Sequence, residues 1–309
     1  MHLALTTSLS RFNIGEPTAF GGLKVFPLFP LDAPSVRYRL APDALDRELA
    51  HVAEAPECSG PWFRTLRLHN HSLEPILLRE ADLLRGGKQD RVVDQTCLVP
   101  PVTSLVVPVS CIEAGRSHGG GAFSSSRSSA PSDLRRMRMV SLAYDSNATQ
   151  SSTWGYIAES RTRRGLQDGG GSLNELARLD EDRLADFEAA LPFVRGSAGL
   201  AIATSAPRSA RSRAAIGVEI VELFSEPECC AQAWPGLVRA AAGRLPAGAL
   251  EPRISRTEVR KFFAGAEAAQ VESAPNLGLG TLERLRWTRG AGAVLVVGGR
   301  VAHAALLAA

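Results

Sequence analysis

The chain has 309 residues, 45% of them apolar and 22% charged, values of a globular protein with a substantial core and not of a collagen-like or disordered chain. Its formal charge of +3 lies close to neutrality and gives no argument for nucleic acid or an anionic membrane as partner. Five cysteines without Cys-x-x-Cys spacing indicate neither a disulfide framework nor a zinc site. No run approaches about 18 apolar residues and residues 1–15 lack a secretory pattern, so a reducing compartment and a cytoplasmic protein are expected.

In chain order, residues 23–29 form a compact apolar strand ended by Pro30. Residues 42–54 carry Leu45, Leu49 and Val52 at helical spacing and are expected to be a helix. Strand-sized segments follow at 62–69, 75–78, 92–99 and 105–112, each bounded by Gly, Pro, Asn or Ser, which suggests an antiparallel, sandwich-like sheet. The polar stretch 115–136 then reads as a long loop, functional or disordered. After it come an expected strand at 138–144, a helix at 151–164 and a flexible turn at Gly169-Gly170-Gly171.

Three Ser-x-x-Glu signatures, Ser172/Glu175, Ser225/Glu228 and Ser255/Glu258, predict helices over about 172–190, 226–242 and 256–270. Two strand pairs flank them: 199–204 with 214–224, and 291–297 with 300–307, the second turning at Gly298-Gly299. The expected fold class is α+β, an N-terminal antiparallel β-rich half (residues 1–145) packed with a C-terminal half of mixed sheet and helices (146–309) as one unit. The oligomeric state is left open, a homo-oligomer included.

Gly86-Gly87-Lys88-Gln89-Asp90-Arg91 is the most informative run. Two glycines permit positive φ and close approach to a ligand, while Lys88 and Arg91 offer charge-assisted donors to phosphate or carboxylate. The order is not that of a Walker loop, and a polar hairpin turn is the plain alternative. Lys88 is also one of only three lysines, with Lys24 and Lys261, in a chain that otherwise uses arginine, and it would act as a base or nucleophile only with a lowered pKa. Glu80, Asp82, Asp90 and Glu113 place four carboxylates within two strands and a turn. Glu113, ending an apolar strand near a glycine, is the best candidate general base, against the alternative of a solvated polar face.

His69 and His71 share one direction on an extended chain, but with no carboxylate or cysteine at ligand spacing a turn role is preferred, and for His303 a core role. No metal site is assigned, the four carboxylates being able to supply oxygen ligands for magnesium or calcium as well as an acid and a base, and the cofactor is left open. The glycine- and serine-rich 119–126 reads as a phosphate-lining loop or as simple flexibility, and no serine hydrolase triad is found. Trp154 and Tyr156 would stack on a planar ligand or pack their helix on the sheet, packing being preferred for Trp154.

The run 77–92, then Leu98-Val99-Pro100, then Val107-Pro108-Val109-Ser110-Cys111-Ile112-Glu113-Ala114-Gly115-Arg116, is similar to the core motif of a bacterial family named for its association with ADP-ribosylglycohydrolases and rhodanese-phosphatase superfamily proteins. That motif reads acidic residue, spacer, Gly-x-Lys-Gln-Asn/Asp-Arg, then Val-Pro-x-Ser-Cys-x-Glu-x-Gly-Arg. Ser117 departs from it where an aromatic is more usual. The resemblance extends over most of the chain, through Gln150 with Trp154 and through His303. It implies an anionic, ADP-ribose-like small molecule from NAD metabolism as ligand. Asp82, Gly87, Gln89, Asp90, Arg91, Arg116, Gln150 and Trp154 would bind it, with Glu113 and Lys88 as catalytic candidates if it is hydrolysed. A non-catalytic sensing or interaction module partnering a nearby-encoded enzyme is the alternative.

Overall fold

The computed structural model describes residues 9, 11–34, 36–55, 64–113, 121–141, 146–166, 171–205, 217–243, 245–246, 248–274 and 276–308. The fold is α+β, and the chain divides into two compact units: residues 1–37, 182–275 and 280–309 form one, and residues 38–181 with 276–279 the other. The boundary drawn from the sequence at 145/146 falls inside the second of these. No helix among the described residues is long and apolar enough to cross a membrane.

The second unit carries the candidate site. It opens with strand β4 (Arg39–Leu40) and helix α1 (Ala41–Asp46), after the strands β1 (Phe12–Ile14), β2 (Thr18–Phe20) and β3 (Leu23–Pro30) of the other unit. The helix expected over 42–54 therefore stops early. Glu48 takes φ 57°, and β5 (Ala50–Glu54) follows, alternating buried Ala50 and Val52 with exposed His51. Leu45, Leu49 and Val52 fit a helical stripe, yet the last of them belongs to a strand. Next come β6 (Thr65–Asn70), β7 (Ile76–Leu78), β8 (Asp82–Arg85), β9 (Arg91–Val93), β10 (Cys97–Val99), β11 (Thr103–Cys111) and β12 (Ser124–Ser129). The strand expected at 92–99 is broken by buried Asp94 and Thr96, whose side chains accept hydrogen bonds from Ser110 Oγ and Glu80 N.

Six of these strands form a sheet in the order β12-β8-β9-β11-β6-β5, antiparallel throughout. It curls until its edges meet: the Phe123 N–H, one residue before β12, donates to the Val52 carbonyl of β5 at 3.3 Å. The inner face of this near-barrel is apolar, with Val52, Leu66, Leu68, Leu84, Val93, Val107, Val109 and Phe123 in one buried cluster. Strands β10, β7 and β4 form a small separate sheet whose β4–β7 pair is parallel, and Ile76, Leu78, Cys97 and Val99 join the same core.

Helices α2 (Ser132–Ser141), α3 (Ser146–Arg163) and α4 (Leu173–Leu179) cover part of the outer face, packing Leu134, Tyr156, Ile157, Leu173 and Leu176 on Leu83, Val92 and Ile112. Two expectations are corrected here. The polar stretch 115–136 contains β12 and the start of α2, and residues 138–141, expected as strand, belong to α2. The reason is that Arg135 and Arg138, one helical turn apart, are fully buried where an apolar stripe would normally announce a helix.

In the other unit, β1, β3, β13 (Gly199–Thr204), β14 (Gly217–Phe224), β18 (Arg300–Ala308), β17 (Gly290–Val297), β16 (Thr281–Trp287) and β15 (Gln270–Ala274) run in that order, antiparallel at every pairing, with β2 on β3. Gly298 and Gly299 both have positive φ, as the two-residue turn requires. Helix α5 (Glu181–Ala190) precedes β13, α6 (Pro227–Ala242) packs on β13 and β14, and α7 (Arg256–Glu267) sends Val259, Phe263 and Ala266 into the core on Val221 and Leu223. The helix expected over 172–190 is thus two, α4 and α5, parted at Asp180.

Two of the three capping boxes are present: Ser172 Oγ accepts Asn174 N and Glu175 N, and Glu258 accepts Ser255 N at 2.6 Å. The third is absent. Ser225 Oγ donates instead to the Val36 carbonyl, and α6 starts with Pro227 in its first turn.

Candidate functional site

Alternation along the strands decides which side chains enter the barrel. Arg91 pairs with Leu84 and with Cys111, and Glu54 lies two residues beyond Val52, so Glu54, Arg91 and Cys111 share the inner face with the apolar cluster. All three sit at strand ends beside the 86–90 turn. The mouth of an apolar barrel thus carries a carboxylate, a guanidinium and a thiol, the setting in which small ligands commonly bind.

The turn itself is held by its own polar groups. Gly86 and Gly87 take φ 125° and 53°, and a Cβ on Gly87 would lie 2.3 Å from the Phe123 ring and 2.8 Å from Glu54 Oε1, so only glycine fits. Glu54 Oε1 accepts the Lys88 N–H at 3.1 Å, and Asp90 Oδ1 accepts the Gly86 N–H at 3.1 Å. Asp90 Oδ2 accepts the Asn174 side-chain amide at 2.6 Å, while Asp90 N donates to Glu113 Oε2 at 3.1 Å and Gln89 Nε2 to the Glu113 carbonyl at 3.3 Å. Lys88, Gln89, Asp90, Arg91 and Glu113 are therefore brought together.

Arg91 is 0% exposed. Its Nη1 donates to Gln89 Oε1 and to Cys111 Sγ, both at 3.0 Å, while its Nε and Nη2 are buried without a partner. Across the mouth Glu54 Oε2 is likewise buried and unpartnered. Burial, with Asp94 and Glu54 adding to it, holds the Cys111 thiol above its ordinary pKa despite the nearby Arg91 guanidinium, so the thiol stays neutral.

The other candidates lie apart from this cluster or serve it indirectly. Asp82 starts β8 at the end away from the turn and is committed to Arg79, accepting its backbone N–H at 2.9 Å and its guanidinium at 2.7 Å. Gln150 clasps the end of β11 like a short strand, accepting Cys111 N at 2.8 Å and donating to Cys111 O at 3.0 Å, which positions the thiol. Trp154 is half-buried against the helix-covered outer cluster with Tyr156. Arg116, with Gly119 and Gly120, lies outside the described residues.

Sequence reasoning missed Glu54, Cys111, Asn174 and the buried Asp94–Arg138 pair. The Ala50-x-Val52-x-Glu54 alternation was the available signal for Glu54, hidden by the helical spacing that ran through it.

Among the described residues no group of three or more His, Cys, Asp or Glu could hold a metal ion. His51 Nδ1 and His71 Nε2 share one hydrogen bond at 2.8 Å, and His69 stacks on His51 and meets Ser104 Oγ at 2.6 Å. His303, in the other unit, is 2% exposed and lies 3.1 Å from Glu222 Oε1.

No curated protein and no solved structure matches the chain. Residues 11–307 match the ARG and Rhodanese-Phosphatase-superfamily-associated Protein domain, and the chain belongs to that family.

Proposed function

We propose that the protein binds a phosphorylated, ADP-ribose-like small molecule at the barrel mouth and the 86–91 turn, with Glu113 as the candidate general base if the ligand is hydrolysed. One observation carries this: Arg91 is fully buried and charged, yet two of its donor groups have no acceptor in the protein. A buried, unmatched guanidinium is costly unless a ligand or water supplies the acceptor. Lys88 on the adjacent turn adds a second cation, and the family's association with ADP-ribosylglycohydrolases points to ADP-ribose chemistry. Gln89 and Asp90 hold the turn and Gln150 positions Cys111, and the family resemblance adds Arg116 and Trp154 as further ligand contacts in this reading. The described cysteines Cys97, Cys111, Cys229 and Cys230 are not joined in disulfides, which suits a cytoplasmic setting.

The alternative, a non-catalytic sensing module acting with a nearby-encoded enzyme, is favoured by the engagement of Glu113 Oε2 with a backbone N–H. A thermal-shift screen against ADP-ribose, NAD, nucleotides and sugar phosphates tests the binding reading. A ligand at a hundred times its Kd stabilises by about 2.7 kcal/mol. A shift with ADP-ribose that Arg91→Gln abolishes supports it, and no shift with any phosphorylated compound would overturn it.

A further inference from the structure

We propose that the barrel mouth reads the vicinal hydroxyls of a pentose, set between the Glu54 carboxylate and the Arg91 guanidinium, while the phosphate stays outside on the Lys88 turn. This rests on the binding function proposed above and assigns the ends of the ligand.

Glu54 and Arg91 point from the same inner face, and both act on the Cys111 thiol, with opposite sign. They are oppositely charged, yet they form no ion pair with each other: Glu54 Oε2 and Arg91 Nε and Nη2 are all buried and unpartnered. Their unmet hydrogen-bonding capacity calls for a group that gives a hydrogen to the carboxylate and takes one from the guanidinium. A phosphate dianion has no proton to give and is repelled by Glu54. An ammonium has no lone pair to offer and is repelled by Arg91. A hydroxyl does both, and two adjacent hydroxyls let each charged group have its own partner while bonding to one another. The neutral thiol of Cys111 adds no charge that would favour an ion instead. Lys88, whose backbone N–H is fixed by the other oxygen of Glu54 at 3.1 Å, lies on the turn at the mouth, where a phosphate on the sugar's far carbon would emerge.

Titration calorimetry on the full chain with ribose 5-phosphate, 2-deoxyribose 5-phosphate and inorganic phosphate tests this. The deoxy sugar, lacking one hydroxyl of the pair, is expected to bind about ten- to a hundredfold more weakly than the ribose compound. Glu54→Gln should erase that preference by weakening ribose 5-phosphate, and leave inorganic phosphate unchanged. Its amide oxygen still accepts Lys88 N–H, so the melting temperature should hold within a few degrees; if it falls further, Glu54→Asp, which keeps the charge and shortens the reach, is expected to keep part of the preference.

Equal affinity for the two sugars means that water alone occupies the mouth, and it overturns the proposal. Tighter phosphate binding by Glu54→Gln overturns it too, because phosphate then enters beside Arg91. If ADP-ribose binds in a Lys88-dependent way but the sugars are not distinguished, only this inference fails. If the wild-type chain binds none of these probes and not ADP-ribose, the parent function fails with it.

Discussion

Glu113 Oε2 accepts the backbone N–H of Asp90 at 3.1 Å, tying the end of one strand segment to the turn that carries Lys88 and Arg91. The carboxylate is thus a brace as well as a candidate base, and the two roles separate by substitution. Glu113→Gln keeps an oxygen that accepts Asp90 N–H but cannot take a proton. It should preserve the melting temperature and ligand affinity while reducing any turnover by a factor of about 10² or more. Unchanged turnover in Glu113→Gln would show that Glu113 is not the base.

Lys88 sits on a glycine turn in a chain that otherwise favours arginine. If its ammonium acts as a compact point charge, the longer planar guanidinium cannot replace it. Lys88→Arg should then impair ADP-ribose binding nearly as much as Lys88→Ala, with both variants melting within a few degrees of the parent. Parental affinity in the arginine variant would reduce Lys88 to a generic cationic contact.

The turn was legible in the sequence because glycine pairs and mixed polar runs have few other uses. The long hairpin of β17 and β18 was legible too, from Gly298-Gly299 between alternating apolar strands. The barrel mouth was not. Its carboxylate, Glu54, ends a strand whose apolar residues also satisfy helical spacing, and its thiol is one of five cysteines with no partner pattern. Helix α2 was hidden for a different reason. Its inward residues, Arg135 and Arg138, carry charge, so the binary pattern places them outside, whereas the burial of Arg138 is made tolerable by Asp94, 44 residues away along the chain. Pairing of that kind is a tertiary fact with no local signature.

That buried pair makes a stability prediction. Arg138 bonds Asp94 through Nη2 and Thr153 Oγ1 through Nη1 at 2.9 Å, all of them buried. Removing one charge strands the other, so Asp94→Ala should cost about 3–5 kcal/mol. The double variant Asp94→Leu with Arg138→Met removes both charges together and should recover much of that loss. Chemical denaturation of the three proteins checks it, and a double variant no better than Asp94→Ala would mean that the bonds themselves, and not the desolvated charge, set the cost.

Alkaline pH should destabilise the protein through two buried acids. Burial, with Asp82 adding to it, pushes Cys97 from its ordinary 9.0 up to about 12, and burial, with Asp133 adding, pushes Tyr156 from 10.0 up to about 12. Both pKa values are raised on folding, so the folded chain keeps protons that the unfolded chain releases. The associated stability is fully present below about pH 9 and is lost as pH rises through about 12. Within that window each group contributes a slope of about 1.4 kcal/mol per pH unit. Urea unfolding between pH 8 and 11.5 should therefore show stability falling with pH. The slope should lessen in Cys97→Ala from about pH 9 and in Tyr156→Phe from about pH 10. Comparing each variant with the parent cancels the titration of the remaining residues, which both share. The absolute stability of Cys97→Ala will be lower at every pH because a buried side chain is trimmed, so the slope decides. Parallel curves for parent and both variants would show that these two groups do not carry the alkaline loss.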